Sequence, residues 1–125
     1  MTEYQPGVCN INQNESRKRY ISGGLGFLLA AVSAILYGFQ GMSTQYLLAV
    51  LIFSVFGSMG FIQGRKNFCI AYASQGTRKT GEETEEIKDD SSLSADRKTA
   101  LKTGLEAFIS GLLITLAVHL FFMII

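Results

Sequence analysis

Charge is what this sequence has least of. Only 17% of its 125 residues are Asp, Glu, Lys or Arg, against roughly 25% in soluble domains, and none of these, nor any histidine, falls in residues 21–62. From 107 to 125 the single ionisable side chain is His119. A soluble helix needs a polar face toward water, so blocks this long and this free of charge exclude a water-soluble fold. They suit a bilayer, which is spanned by about 20 mainly apolar residues. Catalytic signatures are also missing: the sequence has no phosphate-binding glycine loop, no metalloprotease His pair and no Ser-His-Asp order. Two cysteines and one histidine fall short of a four-ligand zinc site. The reading is an all-α, multi-pass integral membrane protein with no catalytic residue, cofactor or metal site assigned.

What is present is three apolar stretches. The first, 21–39, covers about 28 Å at helical rise, close to a hydrocarbon core. Gly38, Gln40, Gly41, Ser43 and Thr44 then mark a turn over 40–45. The second stretch, 46–62, is short for a span, and Phe61, Phe68, Ile70 and Tyr72 predict that its helix extends to about 72 along the interface. The third runs from 105 to 125. Between them, 73–104 is rich in Gly, Ser, Thr and charge, with Glu82, Glu83, Glu85, Glu86, Asp89 and Asp90 in one short run. Such a composition predicts a disordered linker, with a helix start at Ser94 leading into the third span.

All 11 Lys and Arg lie in 1–20 or between the second and third stretches. Because these residues are held on the cytoplasmic side, the expected topology puts the N-terminus in the cytoplasm, the 40–45 turn outside, and the C-terminus at the outer surface of the cell membrane. Tyr20, Phe68 and Tyr72 fit the inner boundary, and Tyr37, Phe39 and Tyr46 the outer one. A cleavable signal peptide ending near Ala31-Val32-Ser33-Ala34 is the competing view of the first stretch, but 20 mostly polar residues precede it. Arg97, Lys98 and Lys102 would face anionic headgroups, worth about 1 kcal/mol each. With a net charge of +1 and cations explained by topology, no nucleic-acid partner is expected.

Helices associate in lipid through small residues that let backbones approach. Ser22, Gly26, Ala30, Ala34 and Gly38 recur every fourth residue along the first span. The second offers Gly57, Gly60 and Gly64, and the third Ala107, Gly111 and Thr115 in line with His119. These rows either join the three helices within one chain or face a partner subunit.

His119 is the one candidate for chemistry inside the membrane, about 9 Å from the outer boundary by helical rise. Ser33, Tyr37 and Ser54 lie at matching depth and would satisfy a neutral imidazole; a ligand role is the alternative. Cys9 and Cys69 are expected on the reducing side, which argues against a structural disulfide. Arg65, four residues before Cys69 on an extended second helix, is expected to favour its thiolate. Asn14-Glu15-Ser16 fits a glycosylation pattern but falls on the cytoplasmic side, and Ser91, Ser92 and Ser94 beside acids are candidate phosphate acceptors.

The start Cys9-Asn10-Ile11-Asn12, then Glu15 and Arg17-Lys18-Arg19 before a glycine-rich span, followed by Gln63-Gly64-Arg65 and Phe68-Cys69, resembles uncharacterised small prokaryotic integral-membrane proteins. Over some 70 residues the resemblance implies that Cys9, Glu15, Arg65 and Cys69 belong together at the inner surface. It implies no activity. The expected role is a small membrane subunit or assembly protein whose partners are the lipid bilayer and other membrane proteins or further copies of itself. The alternative is a redox- or metal-linked enzyme accessory using Cys9 and Cys69, or His119. A transporter fits less well, because the spans carry no acidic residue or broken-helix pair for coupling ions.

Overall fold

The computed structural model describes residues 3–125. In chain order it contains α1 (Gln13–Phe39), α2 (Thr44–Lys66), α3 (Ile70–Gln75), β1 (Thr77–Arg78), β2 (Glu85–Glu86) and α4 (Asp90–Ile124). α1, α2 and α4 are each long and apolar enough to cross a membrane.

Helix α1 begins eight residues before its apolar stretch because Asn12 caps it, the side chain accepting from the Glu15 N–H at 2.9 Å. It ends at a tight turn in which Gly41 and Met42 both take left-handed conformations. Helix α2 stops sooner than its apolar pattern suggests. Asn67 adopts the left-handed conformation and its N–H turns back to the carbonyls of Gln63 and Gly64, a role Asn fills more readily than most residues. The expected continuation to 72 is therefore corrected: Phe68 is fully buried with Ala73 and Ala100 instead of lying along an interface.

The expectation of a disordered 73–104 is corrected as well. Helix α4 starts at Asp90, four residues before the Ser94 start, and runs unbroken to Ile124. Asp89, from the acidic run, caps it by accepting from Ser92 N–H and Ser92 Oγ. A buried line of Ser92, Asp96, Ala100, Thr103, Ala107 and Gly111 then continues from the charged part of the helix into the apolar part. Upstream, β1 and β2 form a short antiparallel ribbon with Arg78 opposite Glu85, their side chains paired at 2.8 Å.

Helix α2 packs against both α1 and α4. The α1–α2 crossing is built from four glycines. A Cβ added at Gly60 would sit 2.6 Å from the Gly23 backbone, and one at Gly26 would sit 2.8 Å from the Gly57 nitrogen. The two helices thus touch backbone to backbone through a Gly-x-x-Gly on each. The every-fourth row from Ser22 to Gly38 does not stay on this face, since each step of four overshoots a turn by about 40° and the whole row drifts by about 160°. Gly26 and Ala30 are buried in mid-row, Ser22 and Ala34 are half-buried, and Gly38 faces Phe122 of α4. The buried line on α1 instead runs Ser16, Gly23, Gly26, Ala30, Ser33, Tyr37, in steps that average nearer 3.5 and keep one face toward a neighbour. Gly64 lies under the Tyr20 ring and Gly111 against Val55, so these glycines serve contacts within the chain.

Candidate functional site

At the basic end of the bundle, residues 3–12 and 67–89 tie into a cap over α1, α2 and the start of α4. Its centre is Asn10, fully buried. The Asn10 side chain accepts from the Cys69 N–H at 2.7 Å and donates to the Cys69 carbonyl at 3.1 Å, pairing with that residue as a neighbouring strand would. Its backbone donates to the Asn67 carbonyl at 3.0 Å and accepts from the Lys79 N–H at 2.8 Å. Asn10 thus joins three segments far apart in sequence, a role that its chain position alone does not announce.

Both cysteines are free and buried in this cap. Cys9 Sγ donates to the Ile11 carbonyl at 3.6 Å; burial pushes its thiol up, with the Ile11 contact opposing. Cys69 Sγ meets a cation, but not the expected one. Arg19 Nη2 of α1 donates to it at 3.2 Å, whereas Arg65 lies exposed elsewhere. The reason is the Asn67 reversal: with α2 ended there, Cys69 no longer follows Arg65 by one helical turn, and the chain folds back toward α1. A groove of about 360 Å³ lies beside this contact, lined in part by Arg19, Ser22, Met59, Gln63 and Cys69.

Glu15 lies six residues before the apolar stretch and is only 5% exposed. Lys79 and Lys18 reach its Oε1 at 3.0 and 3.2 Å, and Arg19 its Oε2 at 3.8 Å. Burial pushes its carboxyl up, yet the hydrogen bonds from Lys79 and Lys18 outweigh that and hold it below its usual value. Of the four residues grouped by the resemblance, Cys9, Glu15 and Cys69 are brought into one cap, linked through Asn10 and Arg19, and Arg65 is not.

The N-terminal segment also clamps α4. Asp96, 1% exposed, accepts from the Tyr4 hydroxyl at 2.8 Å and from the Gly7 N–H at 2.7 Å. Thr99 Oγ1 donates to the Gly7 carbonyl at 2.6 Å. Burial and the Asp96 hydrogen bond push the Tyr4 hydroxyl up to about 12. Asp96 lies just inside the helix start expected at Ser94 and carries no role in that expectation. The available signal was an acid recurring on the same face as Ala100, Thr103 and Ala107.

At the opposite end, His119 Nδ1 and the Tyr37 hydroxyl share a hydrogen bond of 2.6 Å. Of the three hydroxyls expected at that depth, Tyr37, 2% exposed, is the partner, while the buried Ser54 Oγ has none. Phe122 stands edge-on to Tyr37, with centroids 6.1 Å apart, in space left open by Gly38.

Among the described residues, no three His, Cys, Asp or Glu side chains group as ligands for a metal ion. The chain matches no protein-family model, no curated protein and no solved structure.

Proposed function

We propose that this protein is a non-catalytic subunit or assembly protein of the cell membrane, crossing it three times with the cap in the cytoplasm and the C-terminus at the outer surface, and that it meets a partner through α4. The one-sided distribution of Lys and Arg supports this orientation. The observation that carries the role is the uneven use of the helix surfaces. Gly23 and Gly26 of α1 and Gly57 and Gly60 of α2 are spent on each other, whereas only 11% of the most apolar stretch of α4 is buried. Leu105, Leu112, Leu113, Leu116 and Leu120 lie bare along it. A helix braced at its base by the cap and backed on one side by α2 presents the rest of its surface at a fixed angle.

The test is gentle detergent extraction followed by native mass analysis of the wild type and of Leu113→Trp/Leu116→Trp. The reading expects a discrete assembly heavier than one chain in the wild type that dissociates in the double variant. A lone monomer in both would overturn it.

The Arg19–Cys69 contact favours a second reading, in which the cap serves redox- or metal-linked chemistry of a partner enzyme. A guanidinium 3.2 Å from a buried sulfur, beside a groove of about 360 Å³, is the geometry that supports it. Replacing Cys9 and Cys69 together by Ser separates the two readings, because the assembly role needs neither sulfur.

A further inference from the structure

We infer that the wedge between α1 and α4 at the capped end is a binding site for one anionic glycerophospholipid, with its phosphate on Arg65 and an acyl chain against Phe61, Ile62 and Ile109. The inference rests on the transmembrane placement proposed above.

Helices α1 and α4 meet at the far end, where Tyr37 bonds His119 and Gly38 receives Phe122. Toward the cap they frame a cavity of about 660 Å³, with Tyr20 on the α1 side, Glu106, Ile109 and Ser110 on the α4 side, and Phe61, Ile62 and Arg65 contributed by α2. That volume lies within the usual range for small-molecule sites, roughly 300–1,000 Å³. Its polar and apolar parts are sorted by depth. Tyr20 immediately precedes the first apolar stretch, Arg65 follows the second by three residues, and Glu106 is the second residue of the third. Three independent stretch ends therefore converge at one level, which in a bilayer is the headgroup boundary. Phe61 and Ile109, about one helical turn deeper, lie at the level of acyl chains.

Charge selects the headgroup. Lys66 Nζ is held by Glu106 Oε1 at 2.8 Å and Thr103 Oγ1 at 3.3 Å, so Glu106 is neutralised within the chain. Arg65 makes no ion pair or side-chain hydrogen bond with any described residue. Arg65 and Lys102 both act on Glu106 beyond its Lys66 partner, so the mouth is net positive, and Arg65, which lines the cavity, brings a planar guanidinium, the group best shaped to grip a phosphate by two parallel hydrogen bonds. An apolar wedge open to the bilayer will take an acyl chain of any lipid, and a guanidinium can grip any phosphodiester; the unpaired positive charge favours a headgroup that lacks the compensating ammonium of phosphatidylcholine.

The experiment uses the full chain, purified in detergent and titrated in native mass analysis with phosphatidylglycerol, phosphatidylcholine or inorganic phosphate. It is repeated with Arg65→Gln and with Ile109→Trp, which fills the wedge. The expected result is a one-to-one phosphatidylglycerol adduct formed at about tenfold lower concentration than the phosphatidylcholine adduct. Arg65→Gln should erase that preference and Ile109→Trp should weaken both adducts, with helix content by circular dichroism unchanged. If Ile109→Trp fails the helix-content check, Arg65→Gln alone decides. Equal binding of the two lipids to the wild type would show only annular lipid and overturn the inference. Binding of inorganic phosphate as strong as that of phosphatidylglycerol would overturn it as well, since no acyl chain would then be needed. A dimer that forms in place of the lipid adduct would assign the wedge to a second copy. Release of the chain from membranes by alkaline carbonate would instead sink the transmembrane reading itself.

Discussion

Tyr37 and His119, 82 positions apart, share a 2.6 Å hydrogen bond where the far ends of α1 and α4 converge. The contact closes the bundle at that end and, by contrast, defines the open wedge at the other. Interhelical hydrogen bonds in membranes average only about 0.6 kcal/mol and reach about 1.7. Tyr37→Phe is therefore expected to lower stability by about 1 kcal/mol. A double-mutant cycle with His119→Ala, read by denaturant unfolding in mixed micelles, should be non-additive; additive losses would show that the contact holds nothing together.

The α1–α2 crossing predicts opposite outcomes for two glycines of similar sequence context. Gly60→Ala places a methyl 2.6 Å from the Gly23 backbone, which no side-chain motion can relieve, so the helices must part at a cost of about 1–3 kcal/mol. Gly24→Ala meets nothing within 4 Å and should be neutral or stabilising by up to about 1 kcal/mol, from helix propensity. Comparing the two in the same unfolding assay tests the crossing directly. Equal effects would mean that α1 and α2 do not cross there.

Asn10 holds Cys69 by two side-chain hydrogen bonds, and Asn67 and Lys79 by its backbone. Replacing it with Ala leaves the buried N–H and carbonyl of Cys69 without these partners, at a cost of about 1–3 kcal/mol. The cap should loosen, and both thiols should become open to maleimide. Labelling of wild type and Asn10→Ala, followed by peptide mass mapping, is expected to show slow reaction at Cys9 and Cys69 in the first and fast reaction at both in the second. Fast labelling of the wild type would contradict the burial of the sulfurs.

The cap should also respond to pH from both sides. Glu15 has its carboxyl held below the ordinary value of 4.5 by Lys79 and Lys18, despite burial, so its contribution is present above about pH 4.5 and is lost as pH falls through the depressed value. Tyr4, pushed from 10.0 up to about 12, contributes fully below pH 10 and loses that contribution as pH rises toward 12. Protection factors of the cap amides, with the intrinsic pH dependence of exchange divided out, should fall at both extremes. Glu15→Gln should flatten the acid limb and Tyr4→Phe the alkaline one, and limbs that persist in these variants would assign the dependence to other groups.

The three long helices were legible in the sequence because lipid imposes a requirement that composition alone can meet: long stretches without charge. The depth of His119 and the three hydroxyls that include its partner were legible for a related reason, since helical rise fixes depth, whereas the choice of Tyr37 among them was not. The cap was not. Asn10 acts through backbone groups of residues distant in sequence, and such contacts leave no periodicity to read; Asp96 shares a face with Ala100, Thr103 and Ala107, but that face does not name the segment that grips it. The stop at Asn67 was missed because the apolar residues beyond it imitate a continuing helix, and the fate of Arg65 followed from that error. The row at Ser22–Gly38 is legible as small residues, but an every-fourth spacing drifts by about 40° per step, so it does not hold one packing face.

Helix α4 carries no break between Asp96, where the N-terminal segment grips it, and His119, where α1 is tied to it. These residues stand about 35 Å apart along one rod. Whatever tilts the rod at its clamp by about 5° therefore displaces the opposite end by about 3 Å, more than a 2.6 Å hydrogen bond tolerates. The contacts at Asp96 and at His119 therefore fix the angle of α4 from both ends, as two bearings hold a shaft.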